Sequence, residues 1–382
     1  MWQIQLPKNN CLNMKDYLKQ SIILYTILSL ALIGGVYETV TSFQKTQAVA
    51  AKFDGNFTQP PLKAGVYPWS IRSVDTQVVS KHWPNVTRSA ISEQVGLIAE
   101  LGVNYVAIGT PYDRIDEMRL WAEEIHERGL NVWFRSHWAE WEGDDGKPAT
   151  LSADEYLRRT GLFIKNNPDL FMPGDAFTVA VEPEQVGIGL GKRFLTWDQY
   201  RNFLLSQITL ANDAFESIDL KGKIYTNWIS VNGWVVDNQF NQELVDKMGL
   251  ITVDHFVGQS KTIGDVADTK QVITQTMNDL DRYNTRWNVP ILLGEWGYQI
   301  FQNVPDDLQT QVVEELLSEL VNRKYIVGIN YWVHMGNSAS LIGDQYGSNL
   351  KYRPAAYVLK AYYDPLSSKP TTPSTKRSNK TR

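Results

Sequence analysis

Cysteine and histidine are scarce in this chain, and their scarcity excludes several kinds of chemistry. Cys11 is the single cysteine among 382 residues, so the chain cannot form an internal disulfide. The five histidines form no His-x-His or His-Glu-x-x-His pattern, which argues against metal-dependent hydrolysis. A Gly-x-Ser-x-Gly motif is also absent, which argues against a serine hydrolase. We therefore expect no metal or other cofactor.

The chain also lacks an excess of basic residues. Its formal net charge is −5, so it has no electrostatic footprint for nucleic acid, and we expect no such partner. A hydrophobic share of 43% with 21% charged residues is typical of a globular protein. The 13 Trp and 18 Tyr are many for this length, and they either fill the core or serve a binding surface.

An uncharged apolar run near the N-terminus predicts a membrane segment. Residues 21–37 are almost wholly apolar, and three lysines precede them at Lys8, Lys15 and Lys19. The positive-inside rule then places residues 1–20 in the cytoplasm as a short arm and the rest of the chain outside. At this length the run is short for a spanning helix and slightly long for a signal-peptide core.

A cleavage site would change the location of the protein. Ala48-Val49-Ala50 resembles such a site but lies well beyond the apolar core, so we favour an uncleaved single-pass anchor. Cleavage would instead give a secreted protein. Residues 38–61 read as a stalk, residues 62–366 as a folded domain, and residues 367–382 as a disordered basic tail rich in Ser, Thr and Pro.

The folded domain shows eight strand-like stretches with helix-like stretches between them. The helical stretches include Ile115–Arg128, Asp306–Asn322 and a last one near Ala355–Tyr363. Such alternation calls for parallel strands with helical crossovers, and eight units predict a (β/α)8 TIM barrel. The strand-like stretches are Ala64–Ile71, Asn104–Ile108, Asn131–Ser136, Phe177–Val181, Lys223–Asn227, Leu250–Asp254, Pro290–Gly294 and Val327–Trp332.

A doubly wound open sheet is the structural alternative. That fold usually carries a glycine-rich phosphate turn after an early strand. The nearest match, Gly187-Ile-Gly-Leu-Gly191, follows an acidic segment and opens no helix, so we interpret it as a flexible loop.

Residues at the C-terminal ends of barrel strands share one face of the fold. The predicted strands should therefore bring together side chains that are far apart in the sequence. These are Arg72, Arg135, His137, Glu182, Asn227, His255, Glu295 and Trp332.

Two glutamates in this set, Glu182 after the fourth strand and Glu295 after the seventh, indicate glycosidic cleavage. That reaction needs an acid to protonate the leaving oxygen and, in the retaining route, a second carboxylate about 5 Å away to attack the anomeric carbon. A single Glu at a strand end is more often a solvated or salt-bridged side chain. Two on separate strands favour catalysis on a carbohydrate substrate.

Three short motifs carry a family resemblance. Glu182-Pro183, Gly294-Glu295-Trp296-Gly297 and Tyr331-Trp332 together resemble the retaining glycoside hydrolases of clan A, which include the cellulases and β-mannanases. The resemblance implies that Glu182 is the acid/base and Glu295 the nucleophile. It also implies a substrate platform at Trp332. The clan usually has Asn before the acid/base, whereas this chain has Val181.

Other groups are candidates to support the reaction. Arg72 or Arg135 would lower the pKa of the nucleophile, or would form a structural ion pair. His137 and His255 could hydrogen-bond a sugar, and the resemblance favours His255. Trp138 and Trp228 are candidates to line outer subsites or to cap the core, and Asn227 is a further candidate substrate contact.

Two alternatives remain open at the level of sequence. Glu184 lies two residues after Glu182 and competes for the role of acid, because strand alternation leaves both on one side. The altered position Val181 also allows a non-catalytic, membrane-anchored barrel that binds a glycan.

Overall fold

The computed structural model describes residues 69–138, 151–184, 196–255, 266–298, 305–343 and 350–364, with only the backbone path at 266–269. Eight strands alternate with helices along these residues. The strands are β1 (Ile71–Asp75), β2 (Tyr105–Ile108), β3 (Asn131–Phe134), β4 (Ala176–Phe177), β5 (Ser230–Asn232), β6 (Ile251–Asp254), β7 (Ile291–Trp296) and β8 (Ile326–Tyr331).

Neighbouring strands are parallel and follow the order β4-β3-β2-β1-β8-β7-β6-β5. The two ends of this sheet meet through the parallel bridges Ala176↔Tyr225 and Val181↔Ser230. These bridges close the sheet, and the chain forms the (β/α)8 barrel that its alternating pattern predicts.

The helices of the described residues lie between and after the strands. They are α1 (Gln77–His82), α2 (Arg88–Ala99), α3 (Ile115–His126), α4 (Ala153–Asn166), α5 (Trp197–Glu216), α6 (Gly233–Asn238), α7 (Gln242–Met248), α8 (Val266–Trp287), α9 (Asp306–Leu320) and α10 (Pro354–Tyr363), with a 3-10 turn at Pro168–Leu170.

Local sequence signals fix several helix ends. The Ser152 side chain accepts a hydrogen bond from the backbone N–H of Glu155 at 3.2 Å and begins α4. The Thr196 side chain accepts one from Gln199 at 3.2 Å and begins α5. In α3, Met118, Trp121 and Ile125 are buried at helical spacing, as the sequence pattern predicts.

The lower half of the barrel interior is a packed aromatic layer. The Trp228 ring lies 5.4 Å from that of Tyr105 and 5.0 Å from that of Trp133, measured between ring centroids. Ile71 and Leu292 belong to the same buried cluster. Because this layer fills the interior, the functional groups must lie above it, at the C-terminal ends of the strands.

Two strand positions differ from those predicted. The first strand ends at Asp75 and not at Ile71. The fifth spans Ser230–Asn232, although Tyr225 of the predicted stretch Lys223–Asn227 also pairs with Ala176 of β4. Both strands carry polar residues that point into the barrel, so hydrophobicity alone places each strand too early in the chain.

None of the helices in the described residues is long and apolar enough to cross a membrane. The predicted anchor at residues 21–37 lies outside the described residues, as do the arm, the stalk and the basic tail.

Candidate active site

The mouth of the barrel is the face formed by the C-terminal ends of its strands. Glu295 lies there on β7, next to an irregularity in the pairing of that strand. Leu293 pairs with Ile329 while Trp296 pairs with Tyr331, so β7 has one residue more than β8 over this stretch. The register against β6 shifts at the same place. A bulge of this kind re-aims a side chain, and here it presents the side chain of Glu295, a residue that is 5% exposed.

Glycine at position 294 is required by close packing. A Cβ at this position would overlap the Ser230 hydroxyl and the Asp254 carboxylate. The Gly294 carbonyl accepts a hydrogen bond from Asn330 Nδ2 at 2.7 Å, which fixes the backbone just before Glu295.

Arg135, which follows β3, joins the acidic groups of the mouth. Its Nη2 lies 2.8 Å from Glu295 Oε1, and its Nη1 donates to Asp75 Oδ2 at 2.6 Å. Nη2 also donates to Ser230 Oγ at 3.1 Å. Burial alone would lower the pKa of Arg135, but the negative charges of Glu295, Asp75 and Asp254 outweigh it and raise that pKa. The guanidinium is therefore a permanent cation that orients Glu295.

Asp254, at the end of β6, is a buried third carboxyl group in this cluster. Its Oδ1 accepts a hydrogen bond from Ser230 Oγ at 2.5 Å, whereas its Oδ2 has no hydrogen-bond partner. Burial raises the pKa of Asp254, and the charge of Glu295 raises it further, against the opposing effect of Arg135. Asp254 thus holds a proton more readily than an ordinary aspartate.

Glu182 lies directly after Val181, which pairs with Ser230 of β5. Its Oε1 accepts a hydrogen bond from Asn232 Nδ2 at 2.8 Å, and the side chain is partly exposed. The backbone of Glu182 has φ +40°, and the other non-glycine residues with positive φ among those described are Asn or Asp. Such conformations concentrate at functional sites.

Glu184 lies close to Glu182 but in a different environment. It is 7% exposed, and its Oε1 accepts hydrogen bonds from the Asn232 backbone N–H at 2.6 Å and from Asn232 Nδ2 at 3.0 Å. Its Oε2 accepts one from the Tyr200 hydroxyl at 3.3 Å. Burial raises the pKa of Glu184, although these donors oppose the shift. The Glu184 carboxyl group thus links Asn232 to Tyr200 in the buried part of the site. Glu182 is the more accessible of the two glutamates.

The other predicted residues at the mouth take distinct positions. The Trp332 backbone N–H donates to the Trp296 carbonyl at 2.8 Å, and its indole N–H donates to Gln77 Oε1 at 3.1 Å. The His255 backbone N–H donates to the Glu295 carbonyl at 2.9 Å, but its ring turns to Asp279, with Nε2 3.4 Å from Oδ2. Trp332 and His255 are thus tied by their backbones to the strand that carries Glu295.

His137 and Trp138 follow Arg135 at the end of β3. His137 is buried. Trp138 packs outward, with its ring centroid 4.6 Å from that of Tyr112 and its indole N–H donating to Thr160 of α4 at 3.2 Å. Trp138 is therefore held against the helical layer.

Three predicted site residues lie elsewhere, and their assignment is corrected. Arg72 is the second residue of β1, and its guanidinium donates to the carbonyls of Gly102 at 3.0 Å and Trp69 at 2.9 Å, at the N-terminal end of the barrel. Asn227 donates to the Met248 carbonyl at the same end. Trp228 belongs to the aromatic layer of the barrel interior. All three errors follow from the shifted positions of β1 and β5.

The residues that actually end these strands were missed. Asp75 ends β1, and its Oδ2 accepts from Asn330 Nδ2 at 2.9 Å as well as from Arg135. Ser230 and Asn232 lie on β5. The sequence did carry a signal for Asp254, because the predicted sixth strand ends there. The sequence carries no such signal for Asp75, because the predicted first strand ends at Ile71.

The arrangement provides two chemically different carboxylates at one opening. Glu295 is oriented by a cation, while Glu182 is partly exposed and hydrogen-bonded through an amide. Within the described residues, no group of three or more His, Cys, Asp or Glu side chains is placed to hold a metal ion. The mouth is suited to general acid/base and nucleophilic chemistry.

Comparison with solved structures finds β-glucuronidases. That of Ruminococcus gnavus superposes with a TM-score of 0.57 at 13% identity, over 80% of this chain and 50% of that one. Its complex with D-glucuronic acid gives 0.56 at 13% identity, over 78% and 49%. The β-D-glucuronidase of Dictyoglomus thermophilum gives 0.56 at 14% identity, over 80% and 51%.

At such identity the likeness establishes the fold alone, and this chain spans about half the length of the matched proteins. No family model matches the sequence, and no curated protein matches it.

Proposed function

We propose that this protein hydrolyses β-glycosidic bonds with retention of configuration and belongs among the clan A glycoside hydrolases. The observation that carries the proposal is the Glu295 carboxylate on β7, held 2.8 Å from Arg135 Nη2, together with Glu182, which lies directly after the Val181↔Ser230 bridge. The solved structures that share the fold are β-glucuronidases, which cleave β-glycosides, and this supports a sugar substrate.

The first chemical step would join enzyme and sugar. The Glu295 carboxylate attacks the anomeric carbon while the protonated Glu182 carboxyl group donates its proton to the glycosidic oxygen. The C–O bond to the leaving group breaks, and a glycosyl ester forms at Glu295. Arg135 orients the attacking oxygen and stabilises the charge that the nucleophile must carry before attack.

The second step would return the enzyme to its starting state. The Glu182 carboxylate removes a proton from water, the resulting oxygen attacks the anomeric carbon, and the bond to Glu295 breaks. The sugar leaves with its original β configuration, and Glu182 is again protonated.

A substrate screen combined with single substitutions tests this proposal. The screen uses defined β-linked oligosaccharides and aryl β-glycosides, including β-glucuronides, with product analysis. Glu295→Ala should abolish hydrolysis of every substrate, because the covalent intermediate cannot form. Glu182→Ala should cripple hydrolysis of natural glycosides but largely spare the first step with an activated aryl glycoside. Azide should then rescue the second step, because this anion needs no base.

Glu184→Ala separates the two candidate acids. If Glu184→Ala shows the azide-rescue pattern and Glu182→Ala does not, the acid has been misassigned. A wild-type protein that bound a glycan of the screen but hydrolysed none would favour the glycan-binding alternative.

The same proposal includes a location. The apolar run at residues 21–37 would anchor the protein in a membrane as a single-pass segment, with the barrel on the extracytoplasmic side. Cleavage after that run would release the barrel as a secreted enzyme.

A further inference from the structure

Trp234 is an exposed aromatic residue close in sequence to Asn232, which donates a hydrogen bond to the candidate acid Glu182. It lies in α6, two residues after Asn232, and 48% of its surface is exposed. The other strongly exposed large apolar residues among those described are Leu162, Met172, Tyr225 and Tyr357. None of these four comes directly after the end of a strand, as Trp234 does. Trp234 is thus the one that stands on the catalytic face of the barrel.

The ring of Trp234 is connected to the candidate site through a series of side-chain contacts. Its centroid lies 5.8 Å from that of Trp197, and the two ring planes make an angle of 75°. Trp197 in turn packs edge-on against Tyr200, at 5.3 Å. Tyr200 is fully buried and donates its hydroxyl to Glu184. This edge-to-face geometry is favourable for aromatic rings, and it supports the Trp234 ring while part of its surface faces solvent.

The position of Trp234 relative to the two glutamates indicates which part of a substrate it meets. Asn232, on the strand that leads into α6, donates a hydrogen bond to Glu182, whereas the Trp332 backbone is bonded to the strand of Glu295. The sugar under attack must sit by Glu295. The group that departs must lie by the acid that protonates it, on the side of Trp234.

We propose that Trp234, supported by Trp197, is a stacking platform for a sugar ring of the leaving group. This proposal rests on the proposed function and deepens it, because such a platform is useful only if the leaving group is itself a sugar. A β-linked pyranose with mainly equatorial hydroxyls presents a face of C–H groups, which packs well on an indole ring. The substrate is therefore an oligo- or polysaccharide, not a glycoside of a small non-sugar group.

Two substrates with different leaving groups test the platform in the full-length protein. One is a β-linked oligosaccharide that the screen above identifies, and the other is the glycosyl fluoride of the same reacting sugar. Fluoride has no ring, so it makes no use of a stacking platform. Trp234→Ala should lower kcat/KM for the oligosaccharide roughly tenfold, the loss of a favourable ring contact, and leave kcat/KM for the fluoride within about twofold.

Two further variants complete the experiment. Trp234→Phe keeps a ring and should recover most of the oligosaccharide activity. Tyr357→Ala removes a similarly exposed ring, 52% exposed on α10, and should leave both substrates unaffected.

The outcomes separate the platform from the proposed function. Equal losses on both substrates, or no loss on the oligosaccharide, would overturn the platform while wild-type hydrolysis still upheld the proposed function. A wild-type protein that hydrolysed neither substrate would overturn the proposed function and the platform with it.

Discussion

At the residue scale, the charge balance around Arg135 explains how the mouth can be both buried and acidic. Asp75, Asp254 and Glu295 surround one guanidinium, so full ionisation would leave excess negative charge away from water. Unpaired buried charge is costly, and proteins avoid it by keeping one group neutral. The raised pKa of Asp254, caused by its burial and by the charge of Glu295, identifies that group. A proton on Asp254 leaves Arg135 available to orient Glu295.

Replacing Asp254 should therefore make stability less dependent on pH. Below the ordinary pKa of aspartate, near 4, folded and unfolded chains both carry the proton. As pH rises the unfolded chain loses it while the folded chain keeps it, so stability falls until the pH passes the raised pKa. Asp254→Asn mimics the neutral form. In urea unfolding between pH 5 and 8, wild type should lose stability relative to this variant by up to about 1.4 kcal/mol per pH unit.

Asp281 on α8 is a control with a pKa shift of the opposite sign. Burial would raise its pKa, but hydrogen bonds from Tyr325 and Arg323 outweigh burial and lower it. Its contribution to stability is fully present above pH 4 to 5 and is lost as the pH falls. The stability difference between Asp281→Asn and wild type should stay constant from pH 5 to 8. A constant difference for Asp254→Asn as well would contradict the assignment of the proton.

At the scale of elements, the bulge in β7 determines where the Glu295 side chain points. It adds a residue between Leu293 and Trp296, and it can form only because Gly294 leaves room for the Ser230 and Asp254 side chains. One irregular strand therefore sets both the direction of Glu295 and the packing of its buried acidic neighbour.

A methyl group at position 294 should disturb both the direction of Glu295 and the packing of Asp254. In Gly294→Ala the added Cβ overlaps two buried polar groups that hydrogen-bond each other, so the strand must move. Overpacking of this kind costs about 1–3 kcal/mol, and kcat should fall because Glu295 is displaced. Thermal unfolding and steady-state kinetics measure the two effects.

Gly96 provides the matched control. It lies within α2, and a Cβ there would meet only the end of Arg128, at 3.9 Å. Gly96→Ala should leave kcat unchanged and stabilise the protein by roughly 0.5–1 kcal/mol, because alanine favours the helix. A Gly294→Ala protein as stable and active as wild type would show that the bulge does not position Glu295.

The strands also differ in how well the sequence pattern predicts their positions. Strands with continuous apolar runs, such as β6 and β7, lie within a few residues of their predicted positions, and Glu295 is near the end of β7 as predicted. Strands β1 and β5 are short and partly polar. Strand β1 contains Arg72, Ser73 and Asp75, and β5 contains Ser230 and Asn232. Their burial depends on partners such as Arg135 that come from distant strands. No local pattern contains that information, so Arg72, Asn227 and Trp228 were misassigned.

At the scale of the whole molecule, the anchor prediction concerns where the barrel works. If the lysines before residue 21 keep the arm in the cytoplasm, protease added to intact cells, or to spheroplasts if a wall or outer membrane blocks access, should remove the barrel. The protein should also sediment with membranes. A barrel protected until the membrane is lysed would mean the reverse orientation, and a barrel found in the medium would mean cleavage.

The nucleophilic role of Glu295 is the central claim for the molecule, and trapping its covalent intermediate tests it most directly. Wild-type protein is incubated with the 2-deoxy-2-fluoro glycosyl fluoride of the sugar that the screen identifies, because the 2-fluoro group slows release of the intermediate. Intact mass and peptide mapping should show one glycosyl adduct per chain, on Glu295. The adduct should be absent from Glu295→Gln and should still form in Glu182→Ala, since fluoride leaves without protonation. An active wild-type protein that accumulated no adduct, or carried it on another residue, would contradict this account.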